Sequence, residues 1–268
     1  MRHPLRPGKP GPNLARWVVA GAMALVSAVL ASSTPAFAQD FSGENVEYEF
    51  GWKGIPAANA TVKIDTTPCD DPSQCYRVAV QLTGKGYLDM FWKVRDRFRA
   101  ICGKSDYLPR YFLFLQREGG FQLDTEIKLD RQDHLLRSTR FRVDKNKPYT
   151  GKKAPAEGTY GPLSSILYMR GRPLNVGDVE TIHVFDGKRE HDLRWTALAK
   201  ERIKIGLGEF DAIKVEPRII RSTGDKEDSN VEAVRTVYMW VSDDPSHLVL
   251  KIESEVFWGS VYAELIKK

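Results

Sequence analysis

Gly161-Pro162-Leu163-Ser164-Ser165-Ile166-Leu167-Tyr168-Met169-Arg170-Gly171 breaks a chain that elsewhere alternates apolar and polar residues. Leu163, Ile166, Leu167 and Arg170 fall at i, i+3, i+4 and i+7, the spacing of one helical face. Pro162 suits a first helical turn, and Gly171 followed by Pro173 is a stop signal. The stretch therefore predicts one short helix over residues 162–170, joining two β blocks at 41–143 and 178–266.

Outward from this helix the period is two. Ala58, Ala60, Val62 and Ile64 share one face, opposite Asn59, Thr61, Lys63 and Asp65; Tyr76, Val78, Val80 and Leu82 repeat the pattern. Further strands are predicted at Lys93–Ile101, Tyr107–Gln116, Phe121–Asp130 and Leu135–Val143, before a long lysine-bearing surface loop from Asp144 to Gly161. The second block opens with Val179–Phe185 and Lys188–Ala197 around a two-residue Asp186-Gly187 turn. Arg202–Ile205, Glu209–Pro217, Val231–Val241, His247–Ser254 and Val256–Ile266 complete it, with a polar loop at Ser222–Asn230. About a dozen regularly spaced strands favour a sandwich or barrel over a parallel α/β scheme. The expected fold class is all-β and mainly antiparallel: one curved sheet or half-open β-barrel, with the short helix plugging its opening.

Arg2, Arg6, Lys9 and Arg16 lie before or at the edge of an apolar run from Trp17 to Ala31, and Ala36-Phe37-Ala38 follows. A basic start, a short apolar core and small residues at −3 and −1 read as a secretory signal peptide cut after Ala38. The run falls short of the roughly 20 residues of a membrane span, which weighs against the rival reading, an uncleaved anchor. The expected product is not an integral membrane protein. It is periplasmic, with an extracellular location as the alternative. Four of the 40 basic residues and none of the 35 acidic ones lie in residues 1–38, leaving 36 against 35 in the remaining 230 residues, a net of +1. That balance removes the general electrostatic case for a nucleic-acid partner. In an oxidising compartment Cys69 and Cys75 can staple the loop between them, leaving Cys102 free; the odd cysteine keeps pairings with Cys102 open.

Candidate chemistry is sparse. His183 and His191 flank one hairpin but point to opposite faces, whereas a metal needs converging ligands; no metal or other cofactor is expected. Ser164 and Ser165 lack a Gly-x-Ser-x-Gly elbow and suit the capping of free N–H groups. Asp243-Asp244-Pro245 reads as turn chemistry. The strongest electrostatic feature is the stripe Lys93, Arg95, Arg97 and Arg99, four cations on one strand face. Asp124, Glu126 and Asp130 of a nearby strand would neutralise it, or it would meet a phosphate or an acidic glycan. Phe91 and Trp92 beside the stripe suit an amphiphilic anion.

Several segments together resemble the bacterial domain-of-unknown-function family numbered 3108. They are Val46-Glu47-Tyr48-Glu49-Phe50-Gly51-Trp52-Lys53-Gly54-Ile55-Pro56-Ala57, the helix stretch, Gly208-Glu209-Phe210-Asp211-Ala212-Ile213-Lys214-Val215-Glu216-Pro217, Met239-Trp240-Val241-Ser242-Asp243-Asp244 and Gly259-Ser260-Val261-Tyr262-Ala263-Glu264-Leu265. The resemblance spans nearly the whole chain after residue 38 and implies an exported β-rich envelope protein with no established activity; it brings no catalytic residues to carry over. A curved sheet with a helical lid is also similar in outline to lipoprotein-carrier folds. The leading expectation is non-enzymatic binding or carriage of a lipid, glycolipid or anionic envelope polymer. Phe91, Trp92, Lys93, Arg95, Arg97, Arg99, Leu163, Ile166 and Leu167 are the candidate ligand contacts. The alternatives are an envelope assembly module that adds a partner protein's strand at an exposed edge, and a polysaccharide or peptidoglycan hydrolase.

Overall fold

The computed structural model describes residues 39–70, 72–91, 93–223, 234–256 and 259–268. The expected signal peptide, Trp92 and most of the 222–230 loop lie outside the described residues. In chain order the strands are β1 (Glu44–Trp52), β2 (Ile55–Pro68), β3 (Gln74–Gly84), β4 (Arg95–Gly103), β5 (Pro109–Glu118), β6 (Phe121–Asp130), β7 (Leu135–Arg142), β8 (Lys147–Tyr149), β9 (Lys153–Pro155) and β10 (Thr159–Tyr160). Helix α1 (Pro162–Arg170) follows, then β11 (Val179–Phe185), β12 (Glu190–Ile205), β13 (Gly208–Ser222), β14 (Val234–Ser242), β15 (Val249–Val256) and β16 (Gly259–Lys267).

All belong to one sheet, in the order 10-11-12-13-14-15-16-1-2-3-4-5-6-7-8, with β9 paired to β7. Every pairing is antiparallel except the short β10–β11 contact. The first and last strands therefore meet mid-sheet, where β16 pairs with β1. The two ends of the sheet approach each other without a shared ladder. Ser138 Oγ of β7 donates to the Gly187 carbonyl at 2.7 Å, bringing the β11–β12 turn against β6 and β7. Gly187 has φ +89°, and a Cβ there would sit 2.8 Å from the Thr125 side chain. Only glycine tolerates both conditions. The result is a half-open barrel.

Register makes the alternation of each strand continuous across the sheet. Ile127, Phe112, Ala100, Val78 and Ile64 are successive cross-strand partners on one side. On the other, Phe50, Ala263, Ile252, Met239, Val215 and Ala197 form the matching row. Helix α1 joins the two. Leu167 is buried with Ile64, Tyr76, Ala100, Phe112, Ile127 and Phe185, whereas Met169 is buried with Trp195, Ala197, Val215 and Met239. A helix touching the same face of both halves sits inside the curve.

The helix is fixed at both ends. Ser164 Oγ accepts from the Gly161 N–H at 2.9 Å, and Ser165 Oγ donates to the Pro162 carbonyl at 2.9 Å. At the other end Arg170, 4 % exposed, makes a fork-to-fork pair with Glu44 at 2.9 and 2.6 Å. Its Nε donates to the His247 carbonyl at 3.0 Å, and its guanidinium lies 4.6 Å from the Phe41 ring centre. One side chain thus binds the helix, the start of β1 and the β14–β15 turn.

The structure departs from the local sequence pattern in three places. The 144–161 segment is not a bare loop but carries β8, β9 and β10 along the seam of the barrel. Strand β12 runs unbroken for 16 residues through both segments read separately in the sequence. The β11–β12 turn has four residues rather than two, because Asp186 Oδ1 accepts from the Lys188 and Arg189 N–H groups at 2.7 and 2.6 Å. That Asx-type closure offsets the register by two and pairs His183 with Asp192. Cys69 and Cys75 are disulfide-bonded across the β2–β3 turn. Cys102 is free and faces the interior, where burial pushes its thiol up to about 12.

Candidate functional site

The concave face retains space that the helix does not fill. At the open mouth a cavity of about 320 Å³ is bounded chiefly by Phe50, Ala58, Leu82, Leu88, Ile252 and Ala263. A second chamber, about 260 Å³, lies between α1 and β12–β15, against Ile166, Met169, Leu193, Trp195, Met239 and Ile252. Ile252 is a wall of both. Alternation places these residues inward on every strand, and Ala58 and Ala263 face each other across Phe50 with side chains too small to close the space. Gly51 also borders the cavity, but there the place of the missing Cβ is filled by the Tyr262 ring.

Few polar atoms line the mouth cavity. Glu118, Ser254 and Tyr262 border it, and the buried Ser254 Oγ has no hydrogen-bond partner among the described residues. Beside Glu118 lies Asp96, inward-facing on β4 and 3 % exposed. Its Oδ1 accepts from the Arg117 N–H at 2.6 Å, while Gln116 Nε2 donates to Glu118 at 2.8 Å. Burial pushes the Asp96 carboxyl up to about 6, against the pull of the Arg117 N–H; the Glu118 charge adds to the rise.

An unfolded Asp titrates near about 4, so between that value and about 6 the native state holds more protons than the unfolded chain. Stability should therefore fall as pH rises through this window and level off above it. Asp96→Asn keeps an acceptor for Arg117 and removes the buried charge. It is expected to raise stability at pH 8 by about 1–2 kcal/mol and to flatten the profile. Thermal melts of both proteins from pH 4 to 8 check this; parallel curves would show that Asp96 is not the titrating group.

The basic stripe does not belong to this cavity. Because Asp96, Phe98 and Ala100 face inward, Lys93, Arg95, Arg97 and Arg99 face out on the convex surface. Nor do the expected acids neutralise it. Strand β5 stands between β4 and β6, with Leu115 between Arg97 and Asp124 and Leu113 between Arg99 and Glu126. Asp124 instead pairs with Arg117, Glu126 with Lys128 and Asp130 with Arg137. Arg95 is held by Asp89 at 2.5 Å. Arg97 and Arg99 are exposed with no ion pair among the described residues.

The helical face divides likewise. Leu167 is core and the half-buried Leu163 packs against the same cluster, and neither lines the two chambers. Ile166, 38 % exposed, is the member that reaches a cavity. Phe91 is 81 % exposed in the β3–β4 connection, at the rim rather than over the sheet. The residues absent from the candidate contacts, notably Ile252, Ala58, Ala263 and Leu82, carry the site. Their signal in the sequence was the inward apolar set itself, including its small members.

Other groups weighed for chemistry have structural partners. Asp243 pairs with Lys200 at 2.7 Å, and Asp244 accepts from Ser242 and Ser246. His183 lies between Glu190 and Asp192 at 2.8 and 2.9 Å; burial opposes its charge, but those two hydrogen bonds win and raise its pKa. His191 faces the other side and meets Asp186 at 3.0 Å. No group of three or more His, Cys, Asp or Glu among the described residues is placed to hold a metal ion.

Residues 47–266 match the family model described as Protein of unknown function (DUF3108). The chain belongs to the DUF3108 family. Among solved structures, this DUF3108 chain is similar to a beta-barrel-like protein of domain of unknown function DUF1849 from Brucella abortus. The TM-score is 0.53 at 8 % identity, covering 83 % of this chain and 95 % of that one. That likeness shows a shared barrel-like fold. A candidate exported protein with YmcC-like fold from Bacteroides fragilis aligns at TM-score 0.39 and 10 % identity over 85 % and 96 % of the two chains. A candidate lipoprotein from Parabacteroides distasonis aligns at 0.37 and 12 % over 86 % and 96 %. No curated protein matches. No helix among the described residues is long and apolar enough to cross a membrane.

Proposed function

We propose that this DUF3108 protein is a non-enzymatic carrier in the cell envelope, binding one aliphatic chain of a lipid or glycolipid inside the half-open barrel. The observation that supports it is the pair of apolar chambers sharing Ile252 on the concave face. At about 320 and 260 Å³ they sit at and just below the small end of ligand sites, about 300–1,000 Å³, which suits a single chain rather than a multi-acyl lipid. The inward carboxyls Asp96 and Glu118 disfavour an anionic head within the mouth, so a neutral or hydroxyl-bearing head fits better beside Ser254 and Tyr262.

Ile252→Trp fills the shared wall with an apolar group and should abolish ligand retention while leaving the melting temperature unchanged or higher. Native mass spectrometry of protein purified from envelopes, with a fluorescent fatty acid titrated into the delipidated form, checks this. Absence of both co-purifying mass and probe binding in the wild type would end the carrier reading. Strand addition to an envelope partner is less well supported, because the outer strand β8 is three residues long and contains Pro148, which blunts an edge.

A further inference from the structure

Large apolar side chains are gathered at the end of the barrel where the cavity opens. Trp52 and Ile55 flank the Lys53-Gly54 turn, at 44 % and 57 % exposure. Met90 and Phe91, at 82 % and 81 %, project from the β3–β4 connection. These tips are built, not loose. The Lys53 N–H donates to the Ser260 carbonyl at 2.9 Å, and the Lys53 stem lies against Gly259. The Lys85 N–H donates to the Ala57 carbonyl at 2.8 Å, Tyr87 Oη to the Pro56 carbonyl, and the Phe91 N–H to the Leu88 carbonyl at 2.9 Å. Leu88 of the same turn faces into the cavity while Met90 and Phe91 face out.

Charge at the rim is arranged around these tips. Glu49 is held by Lys85 at 3.0 Å and Asp89 by Arg95 at 2.5 Å. Lys53, 4.9 Å above the Trp52 ring, and Lys93 have no carboxylate partner among the described residues; Glu255 is the exposed acid left against them. Aromatic and aliphatic tips flanked by uncommitted lysines match the layering of a membrane interface, with apolar groups at acyl depth and ammonium groups among phosphates. Separate convex tips suit a deformable surface better than a flat protein face.

We infer that the mouth of the barrel docks on an anionic lipid bilayer, inserting Met90, Phe91, Trp52 and Ile55 with Lys53 and Lys93 at the headgroups. This rests on the carrier reading and adds where loading takes place: the cavity opens directly onto the bilayer. With two free lysines against one free carboxylate, apolar insertion contributes most of the binding and salt weakens it only modestly.

Co-sedimentation of the chain beginning at residue 39 with phosphatidylethanolamine–phosphatidylglycerol vesicles tests it. Wild type is expected to sediment, and Met90→Ser/Phe91→Ser to lose affinity by at least about tenfold with an unchanged melting temperature, since both side chains stand in solvent. Lys53→Ala/Lys93→Ala should weaken binding to these vesicles severalfold but not to phosphatidylcholine vesicles. Ile252→Trp should sediment like wild type. Sedimentation without any retained ligand would remove the carrier reading and leave the docking intact. Wild type that stays in the supernatant, or a Met90→Ser/Phe91→Ser variant that sediments equally, overturns the docking. Concentration-dependent dimerisation lost in that variant would overturn it too, by assigning the rim to a second copy.

Discussion

Glu44→Leu is expected to destabilise the protein by about 3–5 kcal/mol, because it strands a buried cation. The carboxylate it removes is the sole acidic partner of Arg170 among the described residues, held by two parallel bonds at 2.9 and 2.6 Å with 4 % and 16 % side-chain exposure. Without it the guanidinium keeps the carbonyls of His247 and Ser246 and the face of Phe41, none of which carries a neutralising charge. A buried cation with unspent donors costs far more than the intact pair contributes, because desolvation is no longer offset. The double variant Glu44→Leu/Arg170→Met removes both charges and should recover most of the loss. Urea denaturation measures it as a lowered midpoint at constant slope. A loss under about 1 kcal/mol in the single variant would mean that Arg170 swings to water and does not lock the helix.

The second large effect separates two neighbours on the helix. Leu167→Ala should cost about 2–5 kcal/mol, the range for a buried leucine whose cavity collapses only in part. Its side chain is enclosed with Phe41, Tyr76, Tyr107 and Phe185. Ile166→Ala, next in sequence, should cost less than about 1 kcal/mol, because the side chain already borders open space. Hydrogen exchange of the helix amides should accelerate in the first variant and not in the second. Equal losses would place Ile166 in a closed core and remove the chamber behind it.

Much of this architecture is legible in the sequence. Alternation at Ala58–Ile64 and Tyr76–Leu82 needs only the two-residue period of an extended chain, and the break at Leu163–Arg170 needs only the helical one. Local turn chemistry is less transparent. Asp186-Gly187 reads as a two-residue hairpin until the Asp186 carboxylate is seen to collect two N–H groups and lengthen the turn. The short strands β8–β10 carry too few residues to show a period, so they read as loop.

The stripe at Lys93, Arg95, Arg97 and Arg99 shows both the reach and the boundary of pattern reading. That the four cations share a face follows from spacing alone. That the face is convex was available too, from Phe98, Ala100 and Cys102 on the opposite face, but the neutralising partners were not. Leu113 and Leu115 intervene because β5 lies between β4 and β6, a matter of strand order. The cavity was hidden for a related reason: Ala58 and Ala263 are ordinary small residues until cross-strand register sets them on either side of Phe50 around one space.

By itself, then, the sequence determined which residues alternate, where the helix at residues 162–170 interrupts them, and which family the chain belongs to, since these depend on local period and ordered motifs. The tertiary structure placed the Gly161–Gly171 helix inside the curve, as its apolar face led us to expect, and it alone decided that Arg170 meets Glu44 across 126 positions of sequence and that an apolar space remains beside Ile252. Those facts depend on how far the sheet curls and which distant strands it brings face to face, and neither quantity is encoded in any short window of the chain.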